Sequence, residues 1–175
     1  DFNLETGRLA SGEPFDLETG FVLDQAPDSS LKVHLTAVVT ADLERNTHRL
    51  ARPEIDVTLS GQGRPADGIP VQVRAESLDA DIGQELYGLD ALALTTAWKG
   101  DGFPPEGVPV KLLAKTLRAN LAKQTLDLDG LDLDLAGARL SGRITGEEIL
   151  DAPLIRGPLQ LAPVSLREWL ARLGV

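Results

Sequence analysis

The run LDLDGLDLDLAGARLSGRI, from Leu126 to Ile144, alternates leucine with aspartate at a period of two. Only an extended strand sends successive side chains to opposite faces, so the run specifies one apolar row and one acidic row. Leu126 and Leu128 share a face opposite Asp127 and Asp129; Gly130 then shifts the count, and Leu131, Leu133 and Leu135 resume the apolar row. A glycine at such a phase slip marks a bulge or tight turn. The same alternation recurs along the chain and predicts a mainly β protein: a long curved antiparallel sheet of repeated hairpins, apolar on one side and wet on the other.

Upstream, the segment from Phe2 to Gly7 is echoed from Phe15 to Gly20 around a Gly/Pro turn, which predicts two short strands. Odd positions from Leu31 to Leu43 are apolar, and only Val38 breaks the polar row between them. A polar turn is expected over 44–47, pairing Leu43 with His48, followed by a return strand carrying Ile55, Val57 and Leu59. Pro53 cannot donate to a ladder, so the return strand is expected to be an edge or to bulge there. The stretch 61–68 reads as a loop, 71–75 restarts the alternation, and a second strand from Leu89 to Trp98 carries Leu92 and Leu94. A last hairpin brings Leu117 and Leu121 beside the leucine-aspartate run. Ala41-Asp42-Leu43 matches Ala119-Asn120-Leu121 at a constant offset, with a weaker copy at Ala80-Asp81-Ile82, as in an array of repeated units.

The predicted apolar row is thus Val33, Leu35, Val39, Ile55, Val57, Leu59, Leu92, Leu94, Leu117, Leu121, Leu126, Leu128, Leu131, Leu133 and Leu135, forming an open groove or a closed core. One helix is signalled at the C-terminal end. Ser165 with Glu168 makes a capping box, Val164 and Trp169 stand at staple positions, and Gly174 suits the left-handed cap. Leu166, Trp169, Leu170 and Leu173 share a face that is expected to dock on one end of the sheet. The organisation is a single segment over 1–175: short strands over 1–25, hairpin repeats over 30–100 and 110–163, and a capping helix over 164–174.

Composition bounds the chemistry. A net charge of −10 repels phosphate backbones, which excludes nucleic acid as a partner. With 4% aromatic residues and no methionine, a deep core is thinly supplied. No cysteine is present, so disulfides, thiolate metal sites and a cysteine nucleophile are ruled out. Alternate carboxylates on a flat strand stand about 7 Å apart without converging, so Asp127, Asp129, Asp132 and Asp134 read as a solvated face and not a calcium site. His34 and His48 are the only histidines, and the expected register separates them by about 30 Å. Gly61-Gln62-Gly63 lacks the third glycine and following helix of a nucleotide cradle. No catalytic residue, cofactor or metal is predicted, and the chain reads as non-enzymatic.

The order of segments ending in LDLDGLDLDLAGARLSG (126–142) and PLQLAPVSLREWLARLG (158–174), with the early turn Gly7-Arg8-Leu9 through Gly12-Glu13-Pro14-Phe15, resembles the AsmA family of Gram-negative envelope proteins. The ending from Leu161 to Gly174 is its most specific part. The resemblance implies a periplasmic segment of a larger protein, tethered to the inner membrane by an anchor outside this chain, and a role in outer-membrane biogenesis. It also implies phospholipid sheltered on an apolar β face during transport between membranes. The other expected role is a scaffold that assembles envelope proteins through sheet edges, and neighbouring segments of the same larger protein are expected partners in either case.

Overall fold

The computed structural model describes residues 2–6, 11–25, 29–61, 63–100 and 102–174. The expected turn at Gly7-Arg8-Leu9 lies outside the described residues. Twelve strands form one antiparallel sheet: β1 (Phe2–Thr6), β2 (Phe15–Gln25), β3 (Ser29–Asp42), β4 (Thr47–Gly61), β5 (Ile69–Arg74), β6 (Ser77–Asp81), β7 (Leu86–Trp98), β8 (Val108–Asn120), β9 (Thr125–Leu135), β10 (Ala138–Glu147), β11 (Leu154–Arg156) and β12 (Leu159–Leu161). A single described helix, α1 (Leu166–Leu173), follows. Neighbours in sequence are neighbours in space, with β5 and β6 together filling one position between β4 and β7, and β11 and β12 one position beside β10.

The hairpins repeat every 39 residues, a period visible as Ala41, Ala80 and Ala119 at the start of three equivalent turns (41 to 80, 80 to 119). In each turn an Asx side chain accepts from backbone N–H groups just ahead: Asp42 from Glu44 and Arg45, Asp81 from Gln84, and Asn120 from Lys123. A left-handed residue closes each, Asn46, Glu85 and Gln124, at φ of 53°, 54° and 52°. The turns also bond to one another, since Ile82 N–H donates to Asn46 O at 2.9 Å and Leu121 N–H to Glu85 O at 3.0 Å. Asx capping plus a tolerated left-handed residue is why this short polar pattern makes the same loop three times.

Two sequence expectations need correction here. The first turn pairs Asp42 with Thr47 and Ala41 with His48, so Leu43 sits in the turn and is 66% exposed. Leu121, equivalent to Leu43 by the 39-residue period, likewise belongs to a turn and not to the apolar row. Of the two alternatives expected at Pro53, an edge or a bulge, the strand has the bulge, at Arg52 and Pro53; β4 is no edge, being flanked by β3 on one side and by β5 and β6 on the other.

At the opposite end the strands are joined by loops that also repeat: Gly61, Gly63, Pro65 and Gly68 recur as Gly100, Gly102, Pro104 and Gly107. Gly68 N–H donates to Pro65 O at 2.9 Å, and Gly107 N–H to Pro104 O at 2.8 Å. Both glycines have positive φ and no room for a side chain. None of the described helices is long and apolar enough to cross a membrane.

Candidate functional site: a creased apolar face

Residues directly opposite in an antiparallel ladder share a face, so the pairing register traces rows of side chains across the sheet. One row runs Leu35, Ile55, Val73, Leu94, Leu112, Leu133, Leu140 and Leu161, each paired with the next over eight strands. A second runs Phe15, Val39, Leu50, Leu78, Leu89, Leu117, Leu128 and Ile144. Val33, Val57 and Val71 belong to a third, and Leu59 pairs with Ile69 beyond it. The predicted apolar residues, Leu121 excepted, therefore lie on one face. Sequence reasoning missed Leu50, Leu78, Leu112, Leu140 and Ile144, whose signal was the register of the 39-residue repeat.

The first two rows are four residues apart on β3 (35 to 39) and β10 (140 to 144). They are five apart on β4 (55 to 50), across β5 and β6 (73 to 78), and on β7 (94 to 89), β8 (112 to 117) and β9 (133 to 128). Each inner position thus holds one extra residue, which an odd spacing needs in order to return to the same face. The extra residues align: Arg52, Ala91 and Gly130 all have positive φ (49°, 51° and 64°), and a Cβ on Gly130 would strike the Lys115 stem. Arg52, Ala91 and Lys115 are exposed. Aligned bulges bend their strands along one line, a crease across the sheet. Along the crease, on the apolar face, Ala37, Ala114 and Leu131 are buried, at 7%, 3% and 6% exposure.

Away from the crease the face stays open. Of the predicted row only Val39 and Leu131 are buried; Leu35, Ile55, Leu94, Leu117, Leu128, Leu133 and Leu135 are half-buried. At the far edge Ile155, Leu159 and Leu161 are 55%, 51% and 61% exposed. The helix covers one end alone. Ser165 O γ caps the Glu168 N–H at 3.5 Å, and Gly174 adopts φ 82°. Trp169 Nε1–H donates to Leu135 O at 2.9 Å, and Arg172 donates to Ala136 O at 3.2 Å. Trp169, Leu170 and Leu173 are half-buried, whereas Leu166 is 63% exposed and lies off the docked side, correcting its predicted place.

The polar face is a lattice of cross-strand ion pairs. Arg143 grips Asp127, Arg139 Nε lies 3.0 Å from Asp134, and Arg49 lies 3.5 Å from Asp79. The Gly137 N–H holds the Asp134 carboxyl below the usual carboxylate range, with Arg139 adding to it, and the Arg118 hydrogen bond does the same for Asp90. Asp90 also accepts from Ser77, one of the most buried residues at 1% exposure. A depression of about 720 Å³ crosses this lattice near the turns, but its Arg49, Asp79 and Arg118 already engage carboxylates or arginines of the same face. Among the described residues no three His, Cys, Asp or Glu converge as metal ligands. His34 pairs with Glu18 on the polar face at 2.9 Å, while His48 lies in a row with Ala80 and Tyr87 on the apolar face. The two are on opposite sides of the sheet.

The fold defines a class: an open, creased antiparallel sheet with chemically distinct faces. No family model, curated protein or solved structure matches the chain.

Proposed function

We propose that this chain is a non-enzymatic segment of an AsmA-like protein, periplasmic and tethered to the inner membrane by an anchor outside it, whose creased apolar face shelters phospholipid acyl chains in transport between membranes. The observation that carries the reading is the row from Leu35 to Leu161: eight strands of aliphatic side chains, mostly half-buried, with no second layer over them among the described residues. A face of this kind matches an acyl chain, because each methylene removed from water contributes roughly 0.8 kcal/mol and makes no demand for hydrogen bonds. The crease suits a flexible chain lying across the strands, and the ion-paired outer face keeps the protein in water.

Native mass spectrometry of the purified chain tests this, with retained phospholipid as the expected result. A protein that carries no lipid, binds no fluorescent fatty acid and instead captures envelope proteins through its edges would replace the reading with that of a scaffold. The exposed apolar edge at Leu154, Ile155, Leu159 and Leu161 is the feature that favours that second reading.

A further inference from the structure

The repeated glycine-proline loops, over 63–68 and 102–107 among the described residues, face each other across a cleft of about 620 Å³. They approach closely, since a Cβ on Gly100 would lie 2.9 Å from the Gly63 carbonyl oxygen. Arg64 and Lys99 both line the cleft, with Pro65, Pro104 and Phe103, whose ring residue is 41% exposed. Several arginines of the polar face are engaged by carboxylates, as at Arg49, Arg118 and Arg143, whereas Arg52, Arg167 and Arg172 form no ion pair among the described residues and stand outside this cleft. No ion pair within 4.0 Å forms at Arg64 or Lys99 among the described residues, although Asp67 shares the cleft. Arg64 donates to Ser60 O at 3.0 Å, which holds its guanidinium in place with other N–H groups unspent. The Lys99 stem packs across Gly107, where a Cβ would meet its Cγ at 2.6 Å.

Two positioned, unpaired cations beside an aromatic ring and prolines make a site for a compact multivalent anion. We infer that this cleft binds a phosphate group, either the phosphoryl headgroup of an anionic lipid or free phosphate. The lipid source rests on the function proposed above and would place headgroup charge at the loop end of the sheet; the free-ion source does not depend on it.

The test uses the whole chain in two arms: sedimentation with vesicles of phosphatidylglycerol or of phosphatidylcholine, and NMR titration with inorganic phosphate. Binding to the anionic vesicles is expected to fall about fivefold for each of Arg64→Gln and Lys99→Gln, and to be unchanged for Lys123→Gln at the opposite end. Phosphate-induced shifts that vanish in the same variants without vesicle binding support the site with free phosphate as its source. Wild-type binding in both variants, equal loss in Lys123→Gln, or no binding in either arm overturns the inference. Should Lys99→Gln melt early through its lost packing, exposed Arg64 carries the test alone. Fatty-acid binding measured in parallel reads the apolar face, so failure of that function and failure of the cleft are told apart.

Discussion

Gly130 shows how much one residue decides. At φ 64° and with the Lys115 stem where a Cβ would go, it has neither the backbone nor the space for a side chain, so Gly130→Ala is expected to destabilise by about 1–2 kcal/mol in chemical unfolding. Gly20→Ala, at a strand glycine whose added Cβ would find only ordinary contacts, is expected to be near neutral in the same measurement. Charge acts at this scale too. Asp134 and Asp90 have folded pKa values below the ordinary 3.8, so their contribution to stability is present above about pH 4 and is lost as pH falls through the lower folded values. Melting temperature should therefore drop on acidification below pH 4, and Asp134→Asn should flatten that part of the curve. Because these groups are close to solvent, the effect is a modest slope and not an acid collapse.

At the scale of elements, α1 is held by its edge and not by a core. The helix buries no residue fully, and its anchors are the Trp169 and Arg172 hydrogen bonds to the carbonyls of Leu135 and Ala136. Trp169→Phe, which keeps a smaller aromatic ring and removes the indole N–H donor, is expected to cost about 1 kcal/mol, and Trp169→Ala about 2. Ser165→Ala should cost at most about 1, given the long 3.5 Å cap bond. Urea titrations followed by circular dichroism would check all three; a Trp169→Ala cost above 4 kcal/mol would mean the helix is integral to the sheet's stability.

For the whole molecule the crease divides one apolar face into a closed line and open flanks. Leu131 sits at the crease, 6% exposed, whereas Leu133, two residues on in the same row of leucines, is half-buried. Leu131→Asp puts an unpaired carboxylate among aliphatic groups and is expected to cost more than about 3 kcal/mol. At Leu133 an aspartate keeps much of its hydration, so Leu133→Asp is expected to remain folded while losing acyl-chain binding. Asp132→Leu, on the outer face, is the control that should leave binding intact. Thermal melts with a fluorescent fatty acid would separate these; equal destabilisation at Leu131 and Leu133 would mean the flanks are as closed as the crease.

Much of this was legible in the one-dimensional pattern. Period-two alternation dictates strands and faces because side-chain direction is set by local backbone geometry, so the apolar row, the Gly130 slip and the capped helix at Ser165 followed from neighbouring residues. Turn register was harder: Asp42 could have closed its turn with either of two pairings, and the choice fell to its side chain capping Glu44 and Arg45, which put Leu43 in the turn, as Asn120 capping Lys123 puts Leu121 in its own and out of the row. The alignment of Arg52, Ala91 and Gly130 into one crease was beyond local reading. Each is a small defect on its own strand, and only cross-strand hydrogen bonding brings defects some 39 residues apart in sequence into one line, where their added backbone sums to a bend. Whether a leucine on such a face is buried or open depends on that bend, so burial was decided by the tertiary structure alone.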